Sequence, residues 1–482
     1  MKVRTRFAPS PTGYMHIGNL RTALFEYLIA KSQGGDFVLR IEDTDTNRKV
    51  DGSVEVIYNT LRIAGLQHDE GPDIGGEYGP YIQSERKCSY IDYAKRLIDE
   101  GKAYYCFCSK ERLDSMTVDE DKSFKKYDRH CLKLSAEQIQ KNLSAGMPYV
   151  IRQYIPDGET TFIDEVYGKI TVNNSELDDQ ILIKSDGMPT YNFANVIDDH
   201  LMNITHVVRG CEYISSTPKY NLLYDAFGWD VPKYVHLPLV LNADGNKLSK
   251  RKGDASFEDL LSQGFLPEAI INYIALLGWS PQNLTKEFFT LEELIESFSV
   301  KGLGKSPSVF DIQKLTWMNG EYFKRMSLEN FNGIASETIK QTIFNKNIDL
   351  DKILEMVKTR INFISEIGSL IDFFNELPEY STDLYINKKM KTDKINALSF
   401  LNKAYLELDQ LTEWSNEVIY NMMVDVAENE GVKKGAVLWS LRVALSGKLT
   451  TPCGASEIAE LLGKNETLHR IKHGIELLNN SN

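Results

Sequence analysis

The sequence has few cysteines and no long apolar run, and these two shortages exclude several classes of protein. Six cysteines in 482 residues are too few for a disulfide scaffold. No stretch reaches the roughly 18 uninterrupted apolar residues that a membrane-spanning helix needs. The first ten residues, MKVRTRFAPS, lack the apolar core of a secretion signal, so we expect a cytoplasmic protein with no membrane partner.

Basic residues are outnumbered by acidic ones. The 55 Lys and Arg against 68 Asp and Glu give a net charge of −13. This balance does not exclude a nucleic-acid partner, because local basic patches bind polyanions whatever the net charge. Hydrophobic residues (42%) and charged residues (26%) occur at the levels of a globular chain, and the length predicts about two to four domains.

The first fifty residues alternate between strand and helix patterns. Residues 3–8 form a short extended run, and the turn-forming stretch 9–13 ends it. We predict a helix with Asn19 as its N-cap, followed by a strand over residues 36–41. This order is the repeating unit of a parallel α/β sheet.

The α/β pattern resumes after about a hundred residues of different character. Residues 205–208 and 234–241 predict strands, and a helix is predicted to open at 216–218, with proline near its first position. From residue 257 onward amphipathic helical periodicity dominates. The predicted fold is therefore a Rossmann-like α/β domain split by an α+β insertion and followed by an all-α C-terminal region.

Two loops have residues suited to a nucleotide. The stretch Pro9–Asn19 lies between the first strand and the first helix, where phosphate groups dock against backbone N–H groups. Within it, His16 offers a donor and Gly18 allows close approach to the backbone. The second loop is the dense basic cluster Lys247–Lys252. Each alone would more often be a structural turn or a solvated loop.

Together the two loops resemble the ATP-binding motifs of class I aminoacyl-tRNA synthetases, usually written HIGH and KMSKS. Here they are HIGN (16–19) and KLSKR (247–251), and the changes at Asn19 and Arg251 are familiar in the glutamyl group. Five further stretches are similar to bacterial glutamyl-tRNA synthetases: RFAPSPTG (6–13), RIEDTD (40–45), GPYIQSER (79–86), DGMPTYNFAN (186–195) and WMNG (317–320).

The resemblance implies a glutamate–tRNA ligase. Such an enzyme activates L-glutamate with ATP and Mg²⁺ once tRNA is bound, and transfers it to the 2′-hydroxyl of the terminal ribose of tRNA(Glu). A monomer is the family default. The implied domains are the catalytic domain (1–85 and 189–245), an inserted acceptor-end-binding domain (86–188), a stem-contact domain (246–325) and a helical anticodon-binding region (326–482).

The resemblance also assigns roles to individual residues. Glutamate and glutamine are nearly isosteric, so a positioned cation must separate them. Arg6 and Arg209 are expected to hold the carboxylates, in an order left open, and Glu42 the ammonium group. The implied sets are, for catalysis, His16, Gly18, Asn19, Lys247 and Lys250; for glutamate, Arg6, Ala8, Ser10, Glu42, Tyr191, Asn195 and Arg209; for ATP, Ser10, His16, Gly18, Glu212, Val240, Lys247, Ser249 and Lys250. The alternative for Arg40, Glu42 and Arg209 is a set of structural ion pairs.

Two more sites are expected outside the catalytic loops. Cys106, Cys108 and Cys131 offer three thiolates for a structural zinc ion, with Tyr127 as the preferred fourth ligand and His130 as the second choice. The alternative is three buried free thiols. In the helical region, the resemblance implies that Arg360 binds a base of the tRNA anticodon.

Several other functions compete with the ligase. A glutaminyl enzyme should have a β-rich C-terminal part, and a shortened paralogue that modifies tRNA would lack the anticodon region. A generic nucleotidyltransferase would not explain the C-terminal half. The remaining alternatives are a catalytically inactive tRNA-binding homologue and a non-discriminating ligase that also charges tRNA(Gln).

Overall fold

The computed structural model describes residues 2–44, 50–116, 126–248, 256–282 and 285–481. The chain folds into two compact units. Unit 1 comprises Met1–Gln263 and Pro267–Ile312, and unit 2 comprises Gly264–Leu266 and Gln313–Asn482. In the described ranges, no helix is long and apolar enough to cross a membrane.

Unit 1 contains both strands and helices. Its strands are β1 (Arg4–Phe7), β2 (Asp36–Leu39), β3 (Ala103–Cys106), β4 (Val150–Gln153), β5 (Glu159–Asp164), β6 (Gly168–Asn173), β7 (Ile181–Ile183), β8 (His206–Gly210), β9 (Lys233–Leu237), β10 (Val240–Leu241) and β11 (Ser308–Val309). Its helices are α1 (Ile17–Lys31), α2 (Ser53–Ile63), α3 (Lys87–Asp99), α4 (Lys110–Ser115), α5 (Ala136–Ser144), α6 (Tyr191–Leu201), α7 (Thr217–Phe227), α8 (Phe257–Ser262), α9 (Pro267–Leu276) and α10 (Leu291–Ser297).

A largely parallel sheet positions the first loop. β1 pairs with β2 in parallel, and β8 pairs with β9 in parallel. The backbone N–H of Thr205, just before β8, donates to the carbonyl oxygen of Arg4, so β8 lies beside β1. The carboxyl ends of β1, β8 and β9 therefore meet at one edge, where ligands bind in Rossmann-like sheets.

The helix after β1 begins earlier than predicted. α1 starts at Ile17, and its N-cap is His16 rather than Asn19. The His16 side chain accepts a hydrogen bond from the backbone N–H of Gly18 through Nδ1 at 3.0 Å. Ile17 is buried, which fixes this first turn against the core. A ring nitrogen thus replaces the oxygen that the usual N-cap residues supply.

The segment between the two halves of the sheet contributes two pieces. β3, β4 and β7 form a separate antiparallel sheet. β5 and β6 form a hairpin, and Asp164 at the end of β5 pairs with Tyr234 of β9. The hairpin therefore joins the sheet of β8 and β9, although its residues lie in the range predicted for the insertion.

The single strand predicted over 234–241 is wrong. β9 ends at Leu237, and β10 pairs instead with β11 in a different sheet. The break falls at Pro238, which has no N–H to donate to a neighbouring strand.

Among its described residues, unit 2 has helices joined by turns and loops, and no strand. Its helices are α11 (Ile312–Arg325), which begins at the boundary of the unit, α12 (Leu328–Thr342), α13 (Leu350–Lys358), α14 (Ile367–Ile371), α15 (Lys394–Gln410), α16 (Asn416–Asn429), α17 (Lys434–Ser446), α18 (Ala455–Leu462) and α19 (Lys464–Asn480). Their apolar faces share one core that includes Phe373, Leu401, Leu441 and Ile458. The predicted fold class, a Rossmann-like α/β domain followed by an all-α region, is confirmed.

Candidate active site

An open cavity of about 310 Å³ lies at the carboxyl ends of β1, β8 and β9. It falls within the size range of ordinary ligand pockets. Most of the residues predicted for glutamate and ATP line it. The lining comprises Arg6, Phe7, Ala8, Pro9, Ser10, Thr12, His16, Gly18, Asn19, Arg21, Thr22, Glu26, Glu42, Tyr191, Val208, Arg209, Gly210, Glu212, Tyr213, Leu237, Pro238, Leu239, Val240, Lys247 and Leu248.

Arg209 is a buried cation of this cavity that is not committed to a protein carboxylate. The residue is 6% exposed, and its Nε and Nη1 have no hydrogen-bond partner in the described structure. Its guanidinium lies over the rings of Tyr213 and Tyr220, 5.4 and 4.9 Å from their centroids. A buried guanidinium with unpaired N–H groups is suited to bind an anionic ligand. Arg209 therefore does not form the structural ion pair considered as its alternative.

Arg6 and Arg40 are held by acidic residues. Arg6 donates to Asp199 through Nε at 2.9 Å, and Arg40 donates to the same carboxylate oxygen through Nη1 at 2.8 Å. Arg40 also donates to Glu42 through Nη2 at 2.9 Å. The structural ion pair considered for Arg40 and Glu42 is thus present, and Glu42 still faces the cavity. Burial raises the pKa of Glu42, and Arg40 opposes that shift.

Helix α6 carries two other residues that are predicted to bind glutamate. Tyr191 starts α6 and lines the cavity. Asn195 lies one turn later, is buried and has no hydrogen-bond partner for its Nδ2. It does not reach the cavity wall in this structure. Asp199 follows after one more turn, so a single face of α6 carries all three side chains.

Both predicted loops contribute to the lining of the cavity. His16, Gly18 and Asn19 lie at the start of α1, and Val240 and Lys247 lie opposite. Lys247 Nζ pairs with Glu212 Oε1 at 2.6 Å. A Cβ atom on Gly210 would lie 2.0 Å from Glu212 Oε2, so glycine is required for this carboxylate to fold back. Ser249 and Lys250, and with them Arg251, lie outside the described residues.

Arg21 and Glu26 also line the cavity, from α1, and the sequence motifs did not single them out. Arg21 is 3% exposed, its Nη1 donates to the carbonyl oxygen of Pro238 at 2.7 Å, and its Nε and Nη2 have no partner. Burial lowers the pKa of Arg21 to about 10. This face of α1 could have been predicted from the sequence. Starting at Gly18, Thr22 and Glu26 follow at intervals of four residues, which places them on the same side of a helix.

The three predicted metal-binding cysteines come together in unit 1. The Sγ atoms of Cys106, Cys108 and Cys131 lie within 4.8 Å of one another. The Tyr127 hydroxyl lies 3.3 Å from the Sγ atoms of Cys106 and Cys108. His130 is exposed and is not part of this group. Burial raises the pKa of Cys106, but its hydrogen bond with Tyr127 and contacts with Arg152 lower that pKa overall. Three sulfurs, of the buried Cys106 and Cys131 and the half-buried Cys108, beside one oxygen fit a tetrahedral zinc site.

Arg360 lies on the surface of unit 2. A second cavity of about 600 Å³ opens in this unit and is lined by Trp439 and Arg442, among others. The Arg442 guanidinium lies 4.5 Å from the centroid of the Trp439 ring. Burial lowers the pKa of Arg442, and the positive charge of Arg360 lowers it further, so the two arginines are neighbours.

Two parts of the chain match known protein families. Residues 2–317 match the catalytic domain of class I tRNA synthetases (E and Q), and residues 327–475 match an anticodon-binding domain. The chain therefore belongs to the class I tRNA synthetases of the glutamate and glutamine group.

Individual relatives define its place in that group. The chain is 61% identical over 480 residues to a glutamate–tRNA ligase of Clostridium kluyveri, covering 99% of this chain and 98% of the relative. A glutamate–tRNA ligase of Clostridium tetani is 59% identical over 482 residues, with the same coverage. A crystal structure of a glutamate–tRNA ligase from Elizabethkingia meningosepticum, in complex with its amino acid, superposes with a TM-score of 0.85 at 36% identity, covering 99% of this chain and all of that one. Within the class, the chain belongs to the glutamate–tRNA ligase family. The predicted family and enzyme class are confirmed, and the inactive homologue gains no support.

Proposed function

We propose that the chain charges tRNA(Glu) with L-glutamate in two steps. The observation that carries this proposal is the cavity that holds Arg209, with its unpaired guanidinium, and Glu42 beside the loops of His16 and Lys247. An amino acid with a carboxylate side chain and a nucleotide can therefore bind next to each other. Arg6 and Arg209 take the carboxylates, and Glu42 takes the ammonium group, with Ala8, Ser10, Tyr191 and Asn195 completing the set.

The first step forms glutamyl-adenylate. The α-carboxylate of glutamate attacks the α-phosphate of ATP in line, and pyrophosphate leaves. His16 and backbone amides of its loop hold the phosphates, and Lys247 and Lys250 neutralise charge on the leaving group. ATP would enter as its Mg²⁺ complex, in which the cation would offset part of the phosphate charge. Glu212, Val240 and Ser249 place the nucleoside.

The second step transfers glutamate to tRNA. The 2′-hydroxyl of the terminal ribose attacks the carbonyl carbon of the adenylate, and AMP leaves. In unit 2, Arg360 binds an anticodon base, and the neighbouring Arg442 and Trp439 offer a cation and a stacking surface for an unstacked base. We propose that the enzyme acts in the cytoplasm and as a monomer.

We propose a structural zinc ion for the inserted segment. Cys106, Cys108, Cys131 and Tyr127 would be its ligands, and the ion would tie β3 to the 3₁₀ helix His130–Lys133. The site lies apart from the reacting groups, so its role is to stabilise the fold.

The experiment that tests the proposed function is charging of purified tRNAs with radiolabelled glutamate and ATP. We expect tRNA(Glu) to be charged with glutamate and not with glutamine. Charging of tRNA(Gln) with glutamate as well would identify a non-discriminating ligase. If neither tRNA accepted label, the proposed function would be wrong.

A further inference from the structure

Glu26 lies in the amino-acid end of the cavity, although the family motifs do not single it out. The residue is 1% exposed and lines the cavity from the third turn of α1. Its Oε1 accepts a hydrogen bond from Nη1 of Arg6 at 3.1 Å, whereas its Oε2 has no partner and no contact with solvent. A buried ionised carboxylate would leave this second oxygen unsatisfied at a high cost.

The charges around Glu26 come from four elements. Arg6 of β1, Arg209 of β8 and Arg40, which follows β2, are cations, and Asp199 of α6 is an anion. Asp199 already accepts hydrogen bonds from Arg6 and Arg40. Burial raises the pKa of Glu26 well above its usual value, and Asp199 adds to this shift, although the three arginines oppose it. In a neutral acid Oε1 still accepts from Arg6, and the unpartnered Oε2 carries the proton, which costs less to bury than an unpartnered charge.

The charge state of Glu26 matters for the substrate. Asp199 leaves part of the positive charge of Arg6 uncompensated. An ionised Glu26 would cancel this remaining charge and would compete with an incoming carboxylate. A neutral Glu26 still accepts the Arg6 hydrogen bond, which holds the guanidinium in one orientation. It removes none of the charge that attracts the ligand.

We propose that Glu26 is a positioning residue of the amino-acid site, which orients Arg6 as a neutral hydrogen-bond acceptor and leaves the charge of Arg6 available to a carboxylate of bound glutamate. This inference rests on the proposed function, because it needs glutamate as the substrate.

The test compares four proteins by steady-state charging of tRNA(Glu): the wild type, Glu26→Gln, Glu26→Leu and the control Glu70→Gln. Glu70 pairs with Arg4, which lies on β1 two residues before Arg6, but neither residue lines the cavity. The control therefore removes an acidic partner from an arginine of β1 that does not line the substrate cavity. The measured quantities are kcat and the KM values for glutamate and for ATP.

We expect Glu26→Gln to keep the glutamate KM within about threefold at neutral pH, because an amide oxygen accepts the same hydrogen bond. Glu26→Leu should raise the glutamate KM about tenfold, with kcat and the ATP KM nearly unchanged, because only Arg6 loses its acceptor. Glu70→Gln should leave all three values close to wild type. A large change in the glutamine variant, or equal changes in the glutamate and ATP KM values of the leucine variant, would overturn the proposal.

The pH dependence of the glutamate KM supplies an independent readout. It still tests the proposal if Glu26→Leu fails to fold. As the pH rises, Glu26 ionises in the wild type, whereas the amide of Glu26→Gln stays neutral. The ratio of the wild-type glutamate KM to that of the variant should therefore rise as the pH is raised above neutral. A ratio that stays constant or falls over this range would overturn the proposal. If the wild type itself charges no tRNA with glutamate, the proposed function fails, and the failure is not that of Glu26.

Discussion

Replacement of Asp199 by asparagine should destabilise unit 1 more than any change of a surface ion pair. One oxygen of Asp199 accepts from both Arg6 and Arg40, at 2.9 and 2.8 Å, and all three side chains are buried. Asparagine has nearly the same shape, but it leaves the two guanidiniums without their shared anion.

The size of the destabilisation follows from the burial of Asp199 and its two arginine partners. Breaking a buried ion pair by removing one partner costs about 3–5 kcal/mol. The asparagine oxygen still accepts a hydrogen bond, so we expect the lower end, about 3 kcal/mol. Glu100→Gln is the matched control, because Glu100 pairs with Arg96 at 2.8 Å on the surface of the same unit. Such an exposed pair contributes at most about 0.5 kcal/mol.

The dependence on pH has a definite sign. Burial alone would raise the pKa of Asp199, but Arg6 and Arg40 lower it below its usual value. The stability that Asp199 contributes is therefore complete above its unfolded pKa of about 3.9, and it is lost as the pH falls through the folded value. The asparagine side chain of the variant does not titrate. The difference in the free energy of unfolding between wild type and variant should therefore shrink as the pH falls.

Urea unfolding measures these free energies, with Trp229 and Trp279 as fluorescent reporters in unit 1. The experiment is run for the wild type, Asp199→Asn and Glu100→Gln at neutral pH and at pH values down to about 3. An Asp199→Asn protein as stable as the control, or a difference that grows toward acid pH, would refute the reasoning.

Three further predictions concern ligands. Arg209→Lys should raise the glutamate KM about 10- to 100-fold in tRNA charging, because a lysine cannot make the two parallel hydrogen bonds of a guanidinium; an equal rise in the ATP KM would contradict this role. Lys247→Met should lower kcat about 100-fold, since it removes a cation beside the departing pyrophosphate, whereas the exposed control Lys301→Met should keep the wild-type rate. Metal analysis should find zinc in the wild type and none in Cys131→Ser, which should also unfold at a lower temperature; a wild type purified without chelator that holds no metal would exclude the zinc site.

The order of elements and the two nucleotide loops could be predicted because their signals are local. The turn residues before α1, the proline at the start of α7 and the apolar spacing of the C-terminal helices each lie within a few residues of the structure that they specify. The break at Pro238 was also readable from the sequence, because proline cannot donate to a strand. The N-cap at His16 was missed because histidine caps a helix only when its ring is oriented to accept.

The sequence by itself determined the family and the fold class, because these depend on motifs of fixed spacing, and it singled out about half of the residues that line the cavity. Only the tertiary structure showed that Arg40 is tied to Glu42 and Asp199 while Arg209 remains uncommitted. It likewise brought Arg21 and Glu26 to the cavity, joined the β5–β6 hairpin to β9 and gathered Tyr127 with three cysteines. The physical reason is that pairing and desolvation depend on which distant segments meet, and burial turns an ordinary acidic or basic residue into a group with an unusual charge state or an unpaired hydrogen-bonding atom.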